Sequence, residues 1–367
     1  MKKTNVILYA AVLLALCAGC GNRQQFTING TFGDSQWDGH KAYLLNATGI
    51  VDSADITEGR FTFNGTAAEP WIGTVAAEGD GVRAQLECIV EPGTINIDIV
   101  NDHLAGTPLN DSLQLFLQAN DNSDLESDLN AYLQLYYMAP DVVSRAEAER
   151  CYDSLEAIAI DRTYRLANDL YSRHHTDLLG AYAMSVLCGT DRLDYATLEQ
   201  LLADAAPIVR NYPPVDNKLT QLRAVDATSA GRHYTDIQGV DGRLSDLIDG
   251  RLALVDFYAS WCGPCRAEIR DNLVPLWKKY QSKGLVIVGL NVWERGDRAT
   301  REAAHQKVMA DLGITYPQLV DSTRTATDTY GVRGIPQIML IGPDGTILAR
   351  DLRGAAIEEA IVKALGK

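Results

Sequence analysis

Residues 258–268 read YASWCGPCRAE. Cys262 and Cys265 stand three apart, with Gly263 and Pro264 between them. The stretch before them, LALVDFYA from Leu252 to Ala259, is almost wholly apolar, as in a strand covered on both faces. The stretch after them has helical spacing to about Ser282. The pair therefore opens a helix, where unpaired amides and the macrodipole favour negative charge. A thiolate, not a thiol, is the form that attacks a disulfide. Pro264 is tolerated there, because first-turn amides have no partner within a helix. Cys265, about one turn on, returns to the face that carries Cys262.

Three uses of such a pair compete. A zinc site needs a second pair of ligands, but the other cysteines are distant and isolated, and His174-His175 has no spaced partner. A purely structural bridge across so short a loop stabilises little. Dithiol–disulfide exchange remains, with Cys262 attacking and Cys265 resolving. GDGVRAQ and GPDGT read as turns, not as dinucleotide-binding loops, so no cofactor and no metal are expected and electrons must come from a partner.

The pattern around the pair is α/β. GLVIVGLNV is a second buried strand, a helix spans about Ala299 to Leu312, and QLV is a short strand. TRTATDTYG is a brief helix, PQIMLIGPDGTILARDL a hairpin about Pro-Asp-Gly, and AAIEEAIVKALG a closing amphipathic helix. Upstream, residues 26–108 show strand alternation with Gly, Asp and Asn turns, predicting an antiparallel β domain. Residues 109–230 show apolar residues three to four apart, predicting a helical region. Its tyrosines (Tyr132, Tyr136, Tyr137, Tyr152, Tyr164 and Tyr171) read as core and rim packing, and Pro213-Pro214 ends one unit.

The first twenty residues, MKKTNVILYAAVLLALCAGC, have a basic start, a short apolar centre and small residues at the exit, as a secretory signal does. The apolar run is too short to span a bilayer stably. Its end resembles a bacterial lipoprotein processing site, with Cys20 as the lipidated residue, although Cys17 stands where an aliphatic residue is usual. The organisation expected is then 1–19 signal, 20–25 lipidated tether, 26–108 β domain, 109–230 helical region and 231–367 α/β domain. A net charge of −15 over 367 residues argues against nucleic acid and against electrostatic docking on anionic lipid. Cys88, Cys151 and Cys188 are an odd set, and the apolar settings of Cys88 and Cys188 favour buried thiols.

LVDFYASWCGPCRAEI followed by GVRGIPQIMLIGPDG resembles the thioredoxin superfamily, and within it the TlpA/ResA-like exported thiol–disulfide oxidoreductases. The resemblance covers roughly Gly231 to Lys367, and Trp293–Asp321 matches that branch's added helix and strand. The β domain resembles the one found ahead of such modules in Bacteroidetes lipoproteins. The resemblance implies that Cys262 is the nucleophile and Cys265 the resolving thiol. Trp261 would be a flat apolar surface beside them. Pro336 would be a cis-proline facing the disulfide, and Ile335 would offer backbone groups to an extended substrate. Asp256 aligns with the buried acid of thioredoxins, a proton acceptor for Cys265 that many TlpA/ResA-like proteins lack. Glu268 matches an acid that tunes the cysteines, or is an exposed first-turn residue favoured by the dipole.

The Gly-Pro dipeptide lies at the reducing end of the superfamily, near thioredoxin at roughly −270 mV, so a reductase is expected. Its substrates would be disulfide-bearing envelope proteins, with apocytochrome c maturation or stress repair as the settings the resemblance implies, and its electron donor a membrane thiol-transfer protein. The chain would face the periplasm of a Gram-negative cell, anchored through Cys20. A binding or redox-sensing lipoprotein, or a disulfide-forming oxidant, is the alternative. A peroxidase is discounted, because those enzymes place a lone cysteine after Pro and Thr.

Overall fold

The computed structural model describes residues 24–33, 35–79, 82–240 and 242–366. The expected signal segment and the lipidation of Cys20 lie outside those residues. Two compact units are formed, one by the residues up to Leu193 together with Leu201–Val215, the other by Asp194–Gln200 with Asp216–Lys367.

In the first unit β1 (Gln25–Thr31), β2 (Lys41–Asn46), β3 (Gly49–Asp55), β4 (Arg60–Thr66), β5 (Trp71–Gly79), β6 (Val82–Val90), β7 (Gly93–Asp98) and β8 (His103–Ala105) form two four-stranded sheets, ordered β4-β1-β7-β8 and β3-β2-β5-β6. Alternate residues are buried: Phe26 and Ile28 on β1, Phe61 and Phe63 on β4, Ala42 and Leu44 on β2. Period-two burial follows from the pleat. The pairing is antiparallel as expected, with one exception. β1 and β7 run parallel, from Phe26↔Gly93 to Thr31↔Asp98. They are far apart in sequence, so the long connection that a parallel pair requires is available.

The helix Pro108–Ala119 follows β8, and its side-chain amides complete the backbone pairing of nearby strands. Asn110 is buried; its Oδ1 accepts from Ile89 N at 2.9 Å and its Nδ2 donates to Ile89 O at 2.7 Å. Gln114 Oε1 accepts from Leu104 N at 2.7 Å. The helices Ser123–Met138 and Val142–His174 then form an antiparallel pair, closed by the two-pronged contact of Arg162 with Asp124 at 2.8 and 2.9 Å. The tyrosine stripe is mostly rim. Tyr171 is buried, whereas Ser123–Met138 buries no residue and Tyr137 is exposed. Cys88 and Cys188 are buried and Cys151 is half-buried; burial pushes the Cys88 thiol up to about 12. Pro213-Pro214 opens the helix Pro213–Ala227, where missing amide protons cost nothing.

The second unit is a five-stranded sheet ordered β11-β10-β9-β12-β13, made of β9 (Leu252–Tyr258), β10 (Leu285–Asn291), β11 (Gln318–Val320), β12 (Gln337–Ile341) and β13 (Ile347–Ala349). β9, β10 and β11 are parallel, while β12 and β13 are antiparallel to their neighbours. Every residue of β9, β10 and β12 is buried, which is why these runs are apolar except at Asp256, Asn291 and Gln337. Leu254, Tyr258 and Ile338 on one face meet Ile269, Leu273, Ile357 and Ile361 from helices. Val255, Phe257 and Met339 on the other meet Leu244, Ile248 and Tyr330. The helix after the cysteine pair runs as Gly263–Glu268 and Val274–Tyr280 with a π turn, Ile269–Leu273, between them. Pro275 accounts for the interruption: it has no N–H to donate and its ring crowds the preceding turn.

Candidate active site

Cys262 and Cys265 are joined as a disulfide at the N-terminus of that helix, with Cα atoms 5.3 Å apart. Cys262 is the N-cap residue, and its Sγ accepts from Cys265 N at 3.2 Å. The same amide can therefore stabilise charge on this sulfur after reduction. Cys262 retains 5% of its surface and Cys265 none, so an incoming sulfur can meet only Cys262. Facing them, the Ile335–Pro336 peptide is cis. Cys262 Sγ lies 3.8 Å from Ile335 O. A disulfide sulfur has no proton to donate, so this is a contact until reduction supplies one.

Asp256 lies in the layer beneath. It shares the strand face of Leu254 and Tyr258 by alternation, and this face packs on Cys265. It is fully buried, and among the described residues neither carboxyl oxygen has a hydrogen-bond partner. Burial pushes its pKa up to about 8; Arg353 pulls it down and Glu268 adds to the rise. Across from it on β10 is Gly289. A β-carbon at Gly289 would fall 2.5 Å from the amide atoms of Gln318, so the absent side chain is what admits that amide. Gln318 Oε1 in turn accepts from Tyr258 OH at 2.7 Å. Tyr316 OH, also buried, has no partner among the described residues, and burial raises its pKa.

Glu268 is not a loose surface residue. Its Oε1 accepts from Asn272 Nδ2 at 2.7 Å and from Gly354 N at 3.0 Å, tying the redox helix to the turn before Ala355–Leu365. The next residue back in that turn, Arg353, donates through Nη2 to Pro336 O and through Nη1 to Leu352 O. Sequence reasoning missed Arg353, since nothing local marks a loop arginine as a neighbour of the cis-proline.

A second missed group fastens the other side. Glu294 accepts from Ser260 N and Ser260 Oγ, each at 2.6 Å, and from Asn291 Nδ2 at 2.8 Å. Trp261 donates its indole N–H to Trp293 O at 3.0 Å. Trp293 has φ of 55°, a region a bulky side chain rarely occupies. The Arg295 guanidinium lies 4.3 Å from the Trp261 ring centroid. Trp261 nevertheless stays 44% exposed and forms part of the surface beside the disulfide. Among the described residues no group of three or more His, Cys, Asp or Glu is placed to hold a metal.

A central β-sheet of this order, a cysteine pair at a strand–helix junction and a cis-proline against it define a thioredoxin-fold domain. Residues 223–350 match the model of the AhpC/TSA family, and residues 26–113 match a domain of unknown function, DUF4369. The thiol:disulfide interchange protein HelX of Rhodobacter capsulatus is 35% identical over 120 residues, 32% of this chain and 61% of that protein. The thiol-disulfide oxidoreductase ResA of Bacillus subtilis is 32% identical over 113 residues, 31% of this chain and 59% of that protein. The thiol:disulfide interchange protein CycY of Rhizobium leguminosarum is 36% identical over 129 residues, 33% of this chain and 63% of that protein. The chain thus spans about three-fifths of the length of these curated relatives. Among solved structures, the thioredoxin domain of a thiol-disulfide oxidoreductase from Bacteroides vulgatus is 28% identical, with a TM-score of 0.33, covering 37% of this chain and 96% of that one.

Proposed function

We propose that this protein is a cell-envelope thiol–disulfide oxidoreductase that reduces protein disulfides at Cys262 and Cys265. The observation that carries the reading is the asymmetry of the pair: Cys262 reaches the surface at a helix N-terminus, whereas Cys265 is enclosed above a buried acid. In the reduced protein the Cys262 thiolate attacks one sulfur of the substrate disulfide. A mixed disulfide forms and the other substrate sulfur leaves as a thiolate. Cys265 gives its proton to Asp256 and attacks Cys262 Sγ. The intramolecular bridge closes and the second substrate sulfur departs, so two electrons have passed to the substrate. Ile335 offers its backbone beside cis-Pro336 to an extended segment, Trp261 supplies the apolar rim, and Glu268 tunes the site through its charge. A membrane dithiol protein returns the two electrons. In this reading the chain faces the periplasm as a lipoprotein held through Cys20. Residues 26–108 and 109–230 restrict which proteins reach the 231–367 domain.

The test is the potential of the pair, equilibrated against glutathione or dithiothreitol buffers. A value near thioredoxin's, at roughly −270 mV, supports a reductase. A value near roughly −120 mV would make the protein an oxidant. No reversible couple would leave a binding protein.

A further inference from the structure

Charges around the disulfide are sorted by direction. The carboxylates turn inward: Glu268 is taken up by Asn272 and Gly354, Glu294 by Ser260 and Asn291, and Asp256 is buried. Two nearby arginines are engaged with carboxylates, Arg266 with Asp311 at 3.6 Å and Arg333 with Asp328 at 3.0 Å. Arg295 and Arg353 differ. Both are exposed, and among the described residues neither has a carboxylate at ion-pair distance. Arg295 is held over Trp261, the residue before Cys262. Arg353 is held on the carbonyl of Pro336, the residue after Ile335. One cation thus neighbours Trp261, which precedes Cys262 in the chain, and the other neighbours Pro336, whose preceding residue Ile335 lies against Cys262 Sγ. Each guanidinium keeps unused donors, since Arg353 spends only two of five on its backbone contacts. A fork of this kind suits a carboxylate.

We infer that Arg295 and Arg353 are specificity-determining residues that select protein segments carrying Asp or Glu beside the disulfide cysteine. The inference rests on the reductase reading and names its substrate class. The net charge of −15 does not oppose it at close range. Charges beyond about 10 Å are largely screened at 0.1 M salt, whereas a docked segment meets these two guanidinium groups directly. Fixed by a ring and by a carbonyl, they also lose little side-chain freedom on binding.

The experiment uses the reduced full chain and two disulfide peptides that differ only in having Glu or Lys on both sides of the reactive cysteine. Second-order rate constants are measured at low salt and at about 1 M salt, with neutral 2-hydroxyethyl disulfide as a third substrate. The expected result at low salt is an acidic-to-basic rate ratio of about ten, shrinking at high salt. Arg295→Gln and Arg353→Gln should each lower the ratio about threefold, and the double variant should bring it near one. Arg295→Lys should retain most of the preference, which a role in packing alone would not produce. A ratio near one in the unaltered protein, or a ratio untouched in the double variant, would overturn the inference while leaving the reductase reading standing. If the unaltered protein reduces none of the three substrates, both fall together.

Discussion

Gly289 faces Asp256 across two parallel strands, and the Gln318 amide occupies the space where its side chain would be. Gln318 in turn holds the hydroxyl of buried Tyr258. A single missing β-carbon thus lets the added β11 segment reach the layer that carries the buried acid. Gly289→Ala should push the amide aside and leave that hydroxyl without a partner. The expected cost is about 1–3 kcal/mol, read as a lower denaturant midpoint. Gly289→Ala combined with Gln318→Ala should recover part of the loss, because the clash is removed.

Asp256 makes stability depend on pH with a definite sign. Its pKa in the folded chain is pushed up by burial to about 8, from an ordinary carboxyl value of 3.8. The folded state therefore binds the proton more tightly than the unfolded one. No penalty exists below about pH 4; stability falls as pH rises and levels off above about pH 8. By pH 7 the loss is roughly 4 kcal/mol at about 1.4 kcal/mol per pH unit. Asp256→Asn should raise stability at pH 8 by a few kcal/mol, less the cost of burying an unpaired amide, with a much smaller gain at pH 4. Urea unfolding of the oxidised protein at the two pH values checks this. An equal effect at both would mean that the carboxyl does not titrate as its burial implies. The same variant should slow release of the mixed disulfide by tenfold or more.

The two sulfurs should separate cleanly by substitution. Cys265→Ser should accumulate a mixed disulfide between Cys262 and a protein substrate, visible by mass as a covalent adduct that dithiothreitol removes. Cys262→Ser should form no such adduct and should lose disulfide reduction by more than about a thousandfold. Trapping through Cys265 in a Cys262→Ser protein would reverse the assigned roles.

Asn110 should be among the costly polar positions of the first unit. Asn110→Ala leaves both Ile89 N and Ile89 O without their side-chain partners in a buried setting. A loss of about 2–4 kcal/mol is expected. Asn110→Asp should also destabilise, since it keeps the acceptor for Ile89 N but turns an oxygen toward Ile89 O. Thermal unfolding measured with the cysteines reduced and oxidised should show the loss in both states.

The sequence by itself determined the elements and the reacting pair. Runs such as LALVDFYA and GLVIVGLNV read as strands buried on both faces, and Cys-Gly-Pro-Cys between strand and helix carries its own local chemistry. A period-two pattern predicted the β domain, while the parallel β1–β7 pairing depends on which strands become neighbours and has no local signature. The exposure of the helix Ser123–Met138 was hidden for a related reason: apolar spacing predicts a helix, not how many partners will cover it. The tertiary structure alone decided that Gly289 would lie beside Asp256, that Arg353 would reach Pro336 and that Glu294 would hold Ser260. Each joins residues well separated in sequence, through strand register or a loop end, and each depends on the fold having already chosen which side chains are removed from water.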